Sequence, residues 1–368
     1  MKLALDLPGG TTPDAVRGYC LLYQLERWLR EMVYLELKSH FGGDWWGEAE
    51  QALKRSKAGG IPAGRSLQAD KRHPHMSTPE NDPLWFLSFD SLVKIIFDRK
   101  LWRFFEKYLT TKKLVRAKFE EIAPIRNRIA HYRALHKDDV SRVAAVLRDV
   151  DEGFWRFCTS YNNDSWFVPP YTRDPIFKQF AARQHLGAAR VSPGTYAVVG
   201  MLIGVDVNVE LRFSARLSAR LRKTKIVGQA GCLYDFTFST AHHHDGSEIL
   251  DYPRILSATR GYHETAIHIA LNSFQNRLRV TFPAVVPSDN IIRAAEKFYD
   301  TCTNYRGGIS YKKEKKDDSE TKDDLEKYEE SIRPYELIAA EWPHYVLPPN
   351  NPLTFLGPDM PCRFFQAV

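Results

Sequence analysis

The stretch "GVDVNVELRFSAR", Gly204 to Arg216, alternates without interruption. Val205, Val207, Val209, Leu211 and Phe213 fall on one side; Asp206, Asn208, Glu210, Arg212 and Ser214 fall on the other. Side chains of an extended chain point to opposite faces at every step, so this pattern predicts an antiparallel strand with one apolar and one wet face. Nothing before about Trp166 alternates in this way. There, "DAVRGYCLLYQLERWLREMVYLELKSHFG" sets Leu22, Leu25, Leu29, Met32 and Val33 at three- and four-residue steps, with Asp14 placed to cap a helix and Gly42-Gly43 to stop it. "FDSLVKIIFDRKLWRFFEKYL" gives two further helical pieces, the first with Asp90 as its cap. "LVRAKFEEIAPIRNRIAHYRAL" and "DDVSRVAAVLRDVDEGFWRFCTSY" complete a set of four or five helices. Beyond Trp166, "LYDFTFS", "ETAIHIALNSF" and "NRLRVTFPAVV" repeat the two-residue period more weakly, and "NIIRAAEKFYDTCTNY" reads as a helix among them. The fold class is therefore α+β. An all-helical bundle over residues 1–165 precedes a mostly antiparallel, β-rich domain over 166–368 with at least one helix.

Size and composition bound the function. A chain of 368 residues exceeds one ordinary core, and 43% hydrophobic residues exclude a disordered chain. No run of 18 apolar residues occurs, and the opening "MKLALDLPGG" is too short and too soon broken for a signal peptide, so the expectation is a cytoplasmic protein with no membrane partner. Five widely separated cysteines without a C-x-x-C pair point to reduced, mostly buried thiols, with no metal framework and no cofactor. The net charge of +7 permits an acidic partner without requiring one. Two segments are read as exposed: "KRSKAGGIPAGRSLQADKRHPHMSTPENDP" as a long loop, and Lys312 to Ser331 as a mixed-charge insertion. "AHHHDG" is a polar turn rather than a metal site, since adjacent strand histidines face apart. The basic run containing Arg212, Arg216, Arg220, Arg222, Lys223 and Lys225 reads equally as a track for an RNA backbone and as the wet face of the strand and its extension.

"PIRNRIAHYR", Pro124 to Arg133, concentrates the polar chemistry of the helical part. On a helix, with Pro124 in the first turn, Ile122, Ile125 and Ile129 gather into a buried stripe edged by Tyr132. Arg126, Asn127, Ala130 and His131 share another arc, on which Asn127 and His131 stack directly and Ala130 leaves room for a second backbone. For an isolated R-x-x-x-x-H, a common pattern, an amphipathic helix with an incidentally polar side is the better account.

The order of segments adds a resemblance. "RNRIAH" is similar to the R-N-x-x-A-H signature of the HEPN superfamily. "LERWLREMVYLEL" followed by "DWW" resembles the opening helix, and "FLSFDSLVKIIF" with "LWRFF" the middle helices, of HEPN ribonuclease domains from abortive-infection and toxin proteins; the resemblance covers roughly residues 15–160. It implies metal-independent RNA cleavage by Arg126 and His131, assisted by Asn127, in a homodimer formed across the motif helices. His131 can move a proton near neutral pH and Arg126 can hold phosphate oxygens. Glu26 and Arg30 are either a surface ion pair or a polar pair approaching the site; Arg128 and Arg133 either touch RNA phosphates or flank the motif in solvent. The expected function is a metal-independent endoribonuclease, a toxin or antiviral abortive-infection effector, whose β-rich domain binds an inhibitor or a trigger. The alternative is a non-catalytic RNA- or nucleotide-binding or antitoxin-like HEPN protein.

Overall fold

A computed structural model describes residues 12–56, 63–72, 82–131, 133–162, 174–182, 202–203, 207–220, 228–240, 242–243, 246–273, 276–308, 342–349, 351–355 and 363–365. Helices fill the first part: α1 (Pro13–Phe41), α2 (Trp45–Arg55), α3 (Ala63–Asp70), α4 (Phe89–Ile96), α5 (Trp102–Phe105), α6 (Lys112–Ala130), α7 (Asp139–Asn162) and α8 (Pro175–Ala182). Strands follow: β1 (Leu202–Ile203), β2 (Val207–Ala215), β3 (Cys232–Thr240), β4 (His242–His243), β5 (Gly246–Leu250), β6 (His268–Leu271), β7 (Arg277–Pro283), β8 (Arg306–Gly308) and β9 (Val346–Leu347). Helix α9 (Tyr252–Thr259) lies between β5 and β6, and α10 (Ser288–Asn304) between β7 and β8. The larger sheet has the order β1-β2-β3-β7-β6-β9, antiparallel except where β9 joins β6 in parallel; β4, β5 and β8 form a second, small sheet. The architecture is α+β, as the change of period predicts.

Helix α1 begins where Thr12 accepts the Ala15 N–H; Asp14 sits inside the first turn, where its charge suits the positive helix end. The expected cap at Asp14 is thus one position pair too late, and Ser88 likewise takes the cap of α4 in place of Asp90. The stop is as expected: Gly42 adopts φ 59°, a backbone that side chains disfavour. Within the segment expected to be a loop, Ala63–Asp70 is helical. Its first residues, Lys54 and Arg55, close α2, and its last, Pro83, opens a short 3₁₀ turn over Pro83–Phe86. The Lys312–Ser331 insertion and Tyr132 lie outside the described residues.

The second half of α1 is enclosed on every side: each residue from Glu31 to His40 is buried. Helices cover one flank and the sheet covers the other. Alternation along the strands explains how. Val207, Val209, Leu211, Phe213, Tyr234, Phe236, Phe238, Val280 and Phe282 point away from α1 into a core shared with α8, α9 and α10. The intervening residues Ser214, Asp235, Thr237, His268 and Thr281 are also buried, while Leu233, Ile267 and Ala270 join the core of the helical part. Of the face expected to be wet, Asn208, Glu210 and Arg212 stay half-exposed, whereas Ser214 and its neighbours Asp235 and Thr281 are covered and bond one another, and other polar residues of the sheet meet α1. Tyr34 donates its hydroxyl to the Ile267 carbonyl at 2.8 Å. Glu31 and His268 approach to 2.7 Å, and the other His268 nitrogen meets the Tyr161 hydroxyl.

Glu36 and Arg216 form the deepest of these contacts. Both side chains are fully buried, with Arg216 Nε donating to Glu36 Oε1 at 2.8 Å. Ser218 donates to the other carboxylate oxygen, and the guanidinium lies 5.2–5.6 Å from the rings of Tyr108, Phe157 and Tyr161. Gly231, at φ 81°, donates its N–H to the Ser39 carbonyl where a Cβ would strike the His40 ring. The basic run is therefore no continuous track: Arg216 is committed to the interior and Arg212 pairs with Glu210, while Arg222, Lys223 and Lys225 lie outside the described residues. Removing one member of a fully buried pair strands the other charge, typically at about 3–5 kcal/mol. Glu36→Ala and Arg216→Ala are each expected to cost that much in urea unfolding. Glu36→Gln combined with Arg216→Met is expected to cost less than the two alanine variants summed, because neither charge is left behind.

Candidate functional site

The candidate site grows from the second half of α6. Ile122 and Ile125 are buried and Ile129 packs beside them, so the apolar stripe lies where its spacing places it. Pro124 does not open the helix as expected, since α6 starts at Lys112 and runs through it. The missing N–H frees the Glu120 carbonyl, and both residues lie on the exposed side where water can satisfy it. Ile129 meets α1 at Gly18, where an added Cβ would come within 2.7 Å of the Ile129 Cδ1. That close approach brings α6 against the first half of α1.

Arg126 consequently faces Glu26. Its Nε donates to Glu26 Oε1 at 2.8 Å, and Arg30 donates to Glu26 Oε2 at 3.0 Å and to the Leu87 carbonyl at 2.8 Å. One carboxylate thus spaces two guanidiniums. All three side chains are largely but not fully enclosed, Arg126 being the most open at 24%. Among the described residues only Glu26 bonds Arg126, so its terminal nitrogens face the adjoining open groove of about 360 Å³. Tyr19, Tyr23, Glu26, Arg27 and Arg30 of α1 form one wall of the groove. Arg126, Ile129 and Ala130 of α6 form the other, with Trp85 between them.

The rest of the motif is placed differently. The helix ends at Ala130, and His131 caps it at φ −108°, its N–H bonded to the carbonyls of Asn127 and Ile129. Asn127, His131 and Arg133 are exposed, and none of them lines the groove. Arg128 turns toward α7, gripping Asp139 through both oxygens at 2.7–3.0 Å, and the same carboxylate accepts the His136 N–H. The structure thus unites Glu26, Arg30 and Arg126, leaves Asn127 and His131 on the surface nearby in sequence, and ties Arg128 into the α6–α7 turn. The groove residues Tyr19, Tyr23, Arg27 and Trp85 were not singled out by sequence. For the tyrosines a signal existed: they fall outside the apolar stripe of Gly18, Leu21, Leu22 and Leu25, yet carry large rings.

Residues 21–150 match the family model described as Swt1-like HEPN. Residues 21–150 form a HEPN domain. HEPN domains at large are generally ribonucleases, bind RNA and often dimerise. The matched span contains Glu26, Arg30, Arg126, Asn127 and the start of α7; it excludes the sheet, which no family model covers. No curated protein and no solved structure matches the chain. Among the described residues no helix is long and apolar enough to cross a membrane.

Asp139 offers a check on the turn that holds His131. Burial alone would raise its carboxyl, but the Arg128 guanidinium and the His136 N–H outweigh burial and hold it below the usual carboxylate range. A carboxylate depressed in the fold stabilises fully above its unfolded pKa of about 3.9 and ceases to do so as pH falls through the lower folded value. Asp139→Asn is therefore expected to lower stability at pH 6 and to lose part of the wild-type dependence between pH 4 and pH 2, read by urea unfolding across that range.

Proposed function

We propose that this chain is a metal-independent endoribonuclease. The observation that carries the reading is Arg126, fixed by Glu26 at the wall of an open groove, on the helix that ends at an exposed histidine five residues later. RNA supplies its own nucleophile. A histidine removes the proton from a ribose 2′-hydroxyl, the 2′-oxygen bonds to the adjacent phosphorus, and the bond from phosphorus to the 5′-oxygen breaks as a second group protonates that oxygen. The terminal nitrogens of Arg126 take up the charge that builds on the phosphoryl oxygens. Glu26 acts through Arg126 by fixing its plane, and Asn127 is placed one helical turn before His131, where its side chain can orient the imidazole.

Base and acid stand on opposite sides of an in-line displacement, so one His131 does not serve both. A second copy related by a two-fold axis, with motif helices facing, supplies the second histidine and brings exposed His131 over a groove that one protomer leaves open. The homodimer is thus part of the proposal. The family resemblance adds a toxin or abortive-infection role in a cytoplasmic setting, with the sheet region receiving a trigger or an inhibitor. The position of His131 outside the groove lining favours a second reading, a HEPN domain that binds RNA or a nucleotide without cutting it.

One set of assays separates the two. Purified chain is expected to cut RNA in excess EDTA, with His131→Ala lowering the rate about 10²- to 10⁴-fold, the range of general acid–base catalysis. Arg126→Ala is expected to lose as much, and Arg126→Lys to recover little, because a point charge cannot replace a planar fork. Binding without cleavage would establish the second reading; cleavage unchanged in His131→Ala, or cleavage that needs magnesium, would reject the mechanism.

A further inference from the structure

We infer that Tyr19 and Tyr23 form a base-stacking platform that presents unpaired RNA, and not duplex, to Arg126. The inference rests on the reading of the groove as an RNA site and adds what part of RNA it selects. Among the described residues three large hydrophobic side chains stand exposed, and two of them, Tyr19 at 60% and Tyr23 at 56%, belong to this one groove. They are four residues apart on α1, so they occupy one face, and their rings lie nearly parallel, 20° apart with centroids 6.3 Å from each other. Nothing in the fold requires them there. The helix buries Gly18, Leu21, Leu22 and Leu25, and the tyrosines project from the flank beside Leu22, outside that stripe.

The platform continues into positive charge. Along α1 the rings give way to Arg27 and Arg30, and the Glu26 carboxylate between them is shared with Arg30 and Arg126, so the groove carries three guanidiniums against one carboxylate. Rings followed by guanidiniums match the alternation of a single nucleic-acid strand, whose bases offer flat faces and whose linkages offer negative charge. The seven steps from Tyr19 to Glu26 rise about 10 Å, roughly three stacking steps of a strand at ~3.4 Å each. A strand with one phosphate at Arg126 therefore reaches both rings with the bases next along. In a duplex every base face is covered by its neighbours, so the rings have nothing to stack on. The platform consequently discriminates by strand state rather than by base identity, because every base has a flat face.

The test measures binding in the full chain carrying His131→Ala, with an end-labelled oligoribonucleotide of mixed sequence, alone or annealed to its complement, followed by fluorescence polarisation. Single strand is expected to bind at least tenfold more tightly than duplex. Adding Tyr19→Ala and Tyr23→Ala is expected to weaken single-strand binding about tenfold or more while leaving duplex binding unchanged; Tyr19→Phe with Tyr23→Phe, which keeps the flat rings, is expected to stay within about twofold of the parent. Equal affinity for duplex, or single-strand binding indifferent to the alanine pair, overturns the inference. So does a result in which the alanine pair turns a dimer into a monomer by sedimentation while RNA affinity per protomer holds, since the tyrosines would then be a contact between copies. Because binding and not cutting is read, a tyrosine-dependent preference in a protein that cleaves nothing would keep the platform and reject the ribonuclease reading alone.

Discussion

A carboxylate and a guanidinium, Glu36 and Arg216, meet with no exposure to solvent at the point where helix and sheet join. Desolvating both charges is costly, and the contact offsets that cost only when each is met closely and its remaining hydrogen-bonding capacity is used. Here Ser218 takes the second carboxylate oxygen and three aromatic rings surround the guanidinium, whose Nη1 has those rings but no hydrogen-bond partner among the described residues. Apolar surfaces tolerate sliding by a fraction of a turn. A buried ion pair between residues 180 positions apart in sequence does not, so it fixes the depth and rotation of α1 against the sheet. Tyr34, Glu31 and His268 add directional contacts on the same interface.

This constraint divides α1 into two halves with different duties. The second half is surrounded and serves as the axle of the molecule. The first half, held in line by the second, is left with one face open, and on that face lie Tyr19, Tyr23 and Glu26. Helix α6 meets it at Gly18 and Ile129, which sets Arg126 opposite Glu26. The geometry of the groove thus depends on contacts made far from it. The chain also returns to this helical body at Phe364 and Phe365, whose N–H groups bond Asp151 of α7 while Phe364 packs on Trp28 and Phe154. The part of the chain beyond the helices thus meets them at two separated places, the Glu36–Arg216 pair and Phe364–Phe365.

Periodicity exposed the helices and strands because it records which side of each element is apolar. The change of step at Gly204–Arg216 and the isoleucine stripe of α6 both translate directly into structure. Periodicity does not record what covers the other side. Buried Ser214 reads like its half-exposed neighbours Asn208, Glu210 and Arg212, because a polar residue facing a polar partner and one facing water are written alike. The same ambiguity hid Arg216 in a run of apparently exposed bases and left Glu26–Arg30 open between a surface pair and a site contact. Arg128 and Asp139 are eleven residues apart and meet only because the α6–α7 turn folds back. Helix boundaries failed for a local reason: Thr12 and Ser88, each two residues before the acidic residue chosen, offer the shorter side chain at the position that caps. Trp85 reaches the groove through tertiary packing alone.

The central claim is that the substrate's own 2′-hydroxyl attacks the phosphate beside Arg126. A single-stranded oligonucleotide of ribose units can carry one 2′-deoxy residue immediately before the mapped cut, leaving every base and phosphate unchanged. Incubated with the wild-type protein in EDTA, the all-ribose strand is predicted to give fragments ending in 2′,3′-cyclic phosphate and 5′-hydroxyl by mass spectrometry, and the substituted strand to remain whole at that linkage. Scission at the deoxy position, or fragments bearing 3′-hydroxyl and 5′-phosphate, would contradict the account.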